Sequence, residues 1–112
     1  MPSRQGDIVL VRVPFTDLTS QRRRPVIVVS NDAYQASTPD FVAVAMTSNL
    51  RPAPYSFVIS TADLVEGTLN RPGRVRVDKV FTLAQAIVVT RFGRVTTTVL
   101  DRVRQELSAL TG

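Results

Sequence analysis

Three adjacent arginines, Arg22-Arg23-Arg24, stand immediately before Pro25 and the apolar run Val26-Ile27-Val28-Val29. A guanidinium offers a planar fork of donors that grips phosphate oxygens in pairs, so a dense cluster of this kind suits phosphate chemistry. Pro25 fixes φ where a strand is expected to open, which makes Arg24 the cation held closest to a rigid element. A solvated loop charge run has the same composition, and the three residues alone do not separate the two readings. A second group, Thr47-Ser48-Asn49, follows the apolar segment 41–46. Hydroxyls and an amide at a strand end can donate to a phosphate or a transition-state oxyanion, although ordinary turns use the same residues. The third group is Arg76-Val77-Asp78. Residues two apart on a strand share a face, so a cation and a carboxylate would sit side by side. Such a pair can polarise a nucleophile and neutralise a phosphate, or it can be a surface ion pair of little energetic weight.

What the chain lacks narrows the chemistry further. There is no His and no Cys among the 112 residues. A Ser-His-Asp or Cys-His arrangement is therefore impossible, and so are disulfides, thiolate metal sites and His-ligated zinc. Proton transfer would have to run on carboxylates, Arg, Lys, Tyr or water. The formal net charge is +5, and 13 of the 14 basic residues are Arg, Lys79 being the only Lys. That balance fits an anionic partner such as nucleic acid, and GC-rich codon usage would produce the same bias. With 44% hydrophobic and 21% charged residues the composition is that of an ordinary globular protein. The length suits one domain spanning 1–112, able to bury a core without a metal or disulfide staple. Neither a signal-peptide pattern nor an apolar run of membrane-spanning length is present, which predicts a cytoplasmic protein with no membrane partner.

The elements that must carry these groups are mostly short β-branched runs. Residues 7–13 alternate in part and predict a half-buried strand that Pro14 ends. Pro25 is expected to open a strand over 26–29 that is buried on both faces. Further strands are predicted over 41–46, 55–60 and 74–80, with a short sixth over 87–89. The segment 74–80 alternates most clearly, valines on one face and Arg74, Arg76 and Asp78 on the other. Turn-forming residues fill 17–23, 31–40, 48–54 and 70–73. Past Thr96-Thr97-Thr98 the period changes. Val99, Val103, Leu107 and Leu110 recur at helical spacing, with Thr98 and Asp101 placed for a capping box and Gly112 as a stop. Several short strands followed by one terminal helix predict a mainly β (α+β) fold, a small barrel of about five to seven strands closed by that helix.

Taken in order, the segments resemble the MazF/PemK family of toxins from type II toxin-antitoxin systems. The resemblance runs through Gly6-Asp7-Ile8-Val9, then Arg24-Pro25-Val26-Ile27-Val28-Val29-Ser30-Asn31-Asp32, then the strand ending in Thr47-Ser48-Asn49. It continues through Arg76-Val77-Asp78 and the tail Arg91-Phe92-Gly93-Arg94-Val95-Thr96. It implies an SH3-like or CcdB-like barrel that homodimerises, needs no cofactor or metal, and cleaves single-stranded RNA at short sequences. In that scheme the 2′-OH attacks the adjacent phosphate to give a cyclic phosphate and a 5′-OH. It also implies a cognate antitoxin whose acidic, flexible tail covers the basic groove. By position Arg24 matches the family's catalytic Arg, Thr47 the Thr that stabilises the transition state, and Arg76 with Asp78 the acid-base pair of PemK-like members. RNA contacts are expected from Gln21, Arg22 and Arg23, and from Ser48, Asn49 and Lys79. A guanidinium that keeps its proton is a poor base, so charge stabilisation is the role expected of Arg24.

The chain departs from the family at two places. The loop Thr19-Ser20-Gln21-Arg22-Arg23 has neither the Glu nor the Gly common before R-P, and Lys79 stands where a Gln is usual. Base preference is expected to reside in loops 17–23 and 48–55. Two other readings remain open from sequence: a CcdB-like, non-enzymatic toxin that binds DNA gyrase, and an inactive RNA-binding barrel.

Overall fold

The computed structural model describes residues 2–13 and 22–112. Seven strands form one antiparallel sheet: β1 (Asp7–Val13), β2 (Arg22–Val28), β3 (Asp40–Thr47), β4 (Ser56–Ile59), β5 (Leu64–Gly67), β6 (Gly73–Ala84) and β7 (Val88–Val95). Their spatial order is β4-β6-β3-β2-β1-β7-β5. A short helix α1 (Asp32–Ser37) joins β2 to β3, and helix α2 (Thr97–Thr111) follows β7. The fold is mainly β, a curled sheet packed by a C-terminal helix, as the sequence predicted.

The central strands are apolar on both faces because both faces are covered. Ile8 of β1 and Ile27 of β2 lie opposite each other and join Val44, Val75 and Val77 in one core. Helix α2 closes that core with Val99, Leu100 and Val103. The alternate residues Val9, Val11, Val26 and Val28 turn to the other face with Phe41 and Ala43, where Leu83, Ile87 and Val88 fold over them. Each fully buried side chain of this size stabilises the fold by roughly 2 kcal/mol on leaving water. At one edge β5 comes very close to β7 where Gly67 pairs with Gly93. A Cβ at Gly67 would lie 2.2 Å from the Phe92 carbonyl oxygen, and φ there is +83°. Only glycine meets both demands.

Two irregularities shape the rim of the sheet. β2 pairs with β3 only from Val26 to Val28, so Pro25, with no N–H to give a ladder, sits where the two strands part. On β6 the register against β3 jumps between Val44, opposite Val80, and Ala45, opposite Arg76. Val77, Asp78 and Lys79 are therefore bulged out, and the Val77 N–H bonds the Tyr55 carbonyl instead, at 3.0 Å. The alternation expected of this segment stops at the bulge: Val75 and Val77 are buried, but Lys79, which strict alternation would turn to the same face, is exposed, and so is Val80.

Several expectations about boundaries need correction. β2 does not open at Pro25 but at Arg22, because Arg23 and Arg24 pair with Arg12 and Val11 of β1. The turn expected over 31–40 contains α1, a single capped turn too short to carry a helical period. β5 has no alternation and was not foreseen; it is defined by its pairing to β7. The short strand expected at 87–89 is the start of a longer one, with Ile87 closing a 3-10 turn before it. The N-cap of α2 is a Thr of the expected cluster, Thr96, whose side chain accepts from the Val99 N–H, so Thr98 forms no capping box. Asp101 leaves the expected capping box and pairs with Arg104 at 2.8 Å. The expectations for Thr19, Ser20 and Gln21 fall outside the described residues.

Candidate active site

The parting of β2 from β3 opens a cleft of about 580 Å³. On β2, Arg24 and Val26 face it by strand alternation; on β3, Ala45 and Thr47 do so, and Arg76 of β6 lies opposite Ala45. Arg24, Thr47, Asn49, Arg76 and Lys79, which are distant in sequence, thus line one concavity. Arg24 is exposed, and no hydrogen bond or ion pair engages its guanidinium among the described residues. Arg23 is exposed on the opposite face of β2, facing Arg12 across the strand pair. The backbone of Arg22 opens β2, but its side chain is outside the described set. Ser48 does not line this cleft; it lines a second one, which Thr47 also lines.

Local turn chemistry orients the polar groups. The Thr47 hydroxyl oxygen accepts from the Asn49 N–H at 3.2 Å, which uses a lone pair and leaves its proton to donate. The Asn49 side-chain oxygen in turn accepts from the Arg51 N–H at 3.0 Å, so the amide NH2 is left for a ligand. A turn built on Thr and Asn therefore presents donors, which is what an anion requires. Arg74 secures this loop: its Nη1 donates to Ser56 Oγ at 2.9 Å and its Nη2 to the Leu50 carbonyl at 3.0 Å. Arg74 and Arg51 also line the cleft, and sequence reasoning did not select them. The signal for Arg74 was its place on the polar face of the 74–80 alternation; Arg51 had none.

Arg76 and Asp78 form a two-pronged pair, Nε to Oδ1 at 3.0 Å and Nη2 to Oδ2 at 2.9 Å. Arg76 lines the cleft and Asp78 does not, so the carboxylate sits behind the guanidinium and fixes its plane. The hydrogen bonds from Arg76 hold Asp78 below the ordinary carboxylate range, and the same bonds raise Arg76. A depressed folded-state pKa contributes stability above the unfolded value, and that stability is lost as pH falls through the lowered one. The pair should therefore stay intact throughout the neutral range and break only at pH below the usual aspartate titration. Carboxyl-carbon NMR of Asp78 checks this, and a midpoint at or above the ordinary value would show that the pair does not persist in solution.

Other residues of the same sequence blocks brace the fold. Ser30 Oγ accepts from the Val42 N–H at 2.8 Å and donates to the buried Gln35 at 2.6 Å. Asn31 caps α1, and Asp32 accepts from the Gln5 N–H at 2.8 Å. Asp7 ties β1 to β7 through Arg91 and Arg94.

The curled antiparallel sheet packed by a C-terminal helix recurs in solved structures of small toxins. An endoribonuclease from a mycobacterial species, solved in complex with its cognate antitoxin, matches over 98% of this chain and 95% of its own, with TM-score 0.79 and 24% identity. MazF (Form-I) from Deinococcus radiodurans matches over 100% of this chain and 98% of its own, at TM-score 0.77 and 24% identity. The MazE-MazF complex (Form-III) from the same organism gives TM-score 0.78 and 25% identity, covering 100% of this chain and 98% of that one. No curated protein matches the sequence. Residues 4–111 match the family described as PemK-like, MazF-like toxin of type II toxin-antitoxin system, and the chain belongs to that family. No described helix is long and apolar enough to cross a membrane.

Proposed function

We propose that this protein is a single-domain endoribonuclease toxin that cuts single-stranded RNA at short sequences without a metal ion. The convergence of Arg24, Thr47 and Arg76 on one cleft carries this reading. The 2′-OH of one nucleotide loses its proton to water as its oxygen attacks the adjacent phosphorus. The P–O5′ bond breaks, leaving a cyclic phosphate on one fragment and, after protonation, a 5′-OH on the other. The guanidinium of Arg24, which has no partner among the described residues, neutralises the phosphorane, and Arg76, held flat by Asp78, supplies a second fork to its oxygens. The Thr47 hydroxyl donates to the same charge, and Asn49 and Lys79 hold the flanking backbone. Asp78, ionised and engaged at both oxygens, is a weak proton acceptor and acts by positioning Arg76.

The cations and hydroxyl that line the cleft suit this scheme, since they supply charge and hydrogen-bond donors to the phosphorane. Arg12 and Arg23 stand opposite each other across β1 and β2 with no acidic partner among the described residues, an arrangement that costs stability until an anion lies over it. The toxin acts in the cytoplasm as a homodimer, and a cognate antitoxin silences it by laying an acidic, flexible segment in the same cleft. The relatives solved as antitoxin complexes support that partner.

The test is purified protein with single-stranded RNA in excess EDTA. Cleavage should give 5′-OH ends and should stop when the scissile nucleotide carries a 2′-deoxyribose; intact RNA, or cutting that needs added divalent metal, overturns the proposal. Thr47→Val removes the donor at nearly constant volume and should lower kcat by about a hundredfold. Thr47→Ser should retain most of it, and equal loss in both would assign Thr47 to packing.

A further inference from the structure

Adjoining the first cleft is a second, of about 420 Å³, and the two share Pro25, Met46 and Thr47. Its walls come from the turn before β6 and from Phe92 of β7. Phe92 is 41% exposed and is the most exposed aromatic side chain among the described residues. Leu69 and Pro72 extend this apolar surface, whereas Ser48, Thr68 and Asn70 stand at its edge. None of those three polar side chains makes a hydrogen bond among the described residues. Arg71 completes the wall with a cation.

We infer that this second cleft holds one nucleobase of the RNA strand, stacked on Phe92 and read at its edge by Ser48, Thr68 and Asn70. The inference rests on the RNA-cleavage reading of the first cleft and adds to it a base-specificity site. A nucleobase has apolar faces and a polar rim, and the cleft offers an aromatic plane with unengaged donors and acceptors at its border. Continuity fixes which molecule reaches it: Thr47 belongs to both clefts, so a strand whose scissile phosphate lies at Thr47 passes its neighbouring nucleotide over Pro25 into the second. Arg71 meets the phosphate that follows. Only a base freed from pairing can be turned out in this way, which agrees with a single-stranded substrate.

The experiment pairs cleavage with a stacking readout. RNA carrying 2-aminopurine at successive positions, with 2′-deoxyribose at the scissile nucleotide, is bound to wild-type protein, Phe92→Ala and Phe92→Trp. Quenching is expected at one position flanking the scissile bond, lost in Phe92→Ala and kept in Phe92→Trp. In cleavage of a randomised RNA pool, Phe92→Ala should lose base preference at that same position. Its kcat/KM on the preferred RNA should fall on the order of tenfold. Thermal melting confirms that the variant is folded. If wild-type protein cuts RNA and Phe92→Ala keeps the same base preference, the second cleft is not a base site and the cleavage reading stands. If Phe92→Ala instead changes a dimer into a monomer with its preference intact, the surface belongs to a second copy of the chain and the inference falls. If wild-type protein neither binds nor cuts RNA, both readings fall together.

Discussion

Arg24→Ala is expected to reduce RNA cleavage by two to three orders of magnitude in kcat while leaving the melting temperature within about a degree or two of wild type. The two halves of that expectation come from separate observations. Arg24 is an exposed residue of β2, with no partner among the described residues, so its removal breaks no contact that the fold depends on. Surface substitutions of this kind usually change stability by less than about 0.5 kcal/mol. Its side chain nevertheless leaves a strand whose next inward residue, Val26, is fully buried, which gives an exposed cation a fixed origin. A preorganised charge of that kind stabilises a phosphorane far more than a mobile one does. Arg24→Lys keeps the charge and loses the fork, and should recover only part of the rate. Single-turnover kinetics with a chimeric substrate, together with thermal melting, decide the matter. A fall in melting temperature matching the loss of activity would show that Arg24 is structural, and an unchanged kcat would remove it from the chemistry.

The strands of the core were legible because their valines and isoleucines are numerous and because each short apolar burst ends at a turn residue. β1 matches its expected bounds, and β3 differs by one residue at each end. What could not be read was whatever depends on a partner strand. β5 exists only through its pairing to β7, and its Gly67 has meaning only beside Gly93. The β6 bulge also has no local signature: residues 74–80 alternate as a plain strand would, and the register jump appears only against β3. That jump turns Arg76 and Lys79 toward the cleft and sends Asp78 behind them.

The same division runs through the motif blocks. In Arg24 to Asp32 a single stretch contains both a cleft residue and a structural brace. Arg24 and Pro25 line the cleft, while Ser30, Asn31 and Asp32 spend their side chains on Val42, Gln35, Tyr34 and Gln5. Sequence order alone cannot separate these roles, since Ser, Asn and Asp are as suitable for substrate contact as for capping. The hydrogen-bond partners separate them.

Asp7 follows the same logic, and its substitution carries the largest expected loss of stability. Its side chain is 4% exposed, and its Oδ1 accepts from Arg91 Nε at 3.0 Å and Arg94 Nε at 3.2 Å. Oδ2 accepts from the Arg4 N–H at 2.9 Å, which closes the turn leading into β1. Asp7→Ala leaves two guanidinium groups without their inner carboxylate and a turn N–H without its acceptor. Removing one member of a buried pair typically costs 3–5 kcal/mol. Here Glu66 remains as a second acceptor for Arg91 and Arg94, and both arginines reach solvent, so about 3 kcal/mol is expected. For a domain of this size that corresponds to a melting point lower by roughly 10 °C or more. Arg94→Met on its own should cost less, because Asp7 then still has Arg91 and the Arg4 N–H. The double variant should be less unstable than the sum of the two, since the second change removes a cation already stranded by the first. Calorimetry on the four proteins tests this, and strict additivity would mean that Asp7 stabilises the turn through Arg4 and does not depend on Arg94. Because Asp7 lies outside the cleft, the folded fraction of Asp7→Ala should cleave RNA with an unchanged kcat.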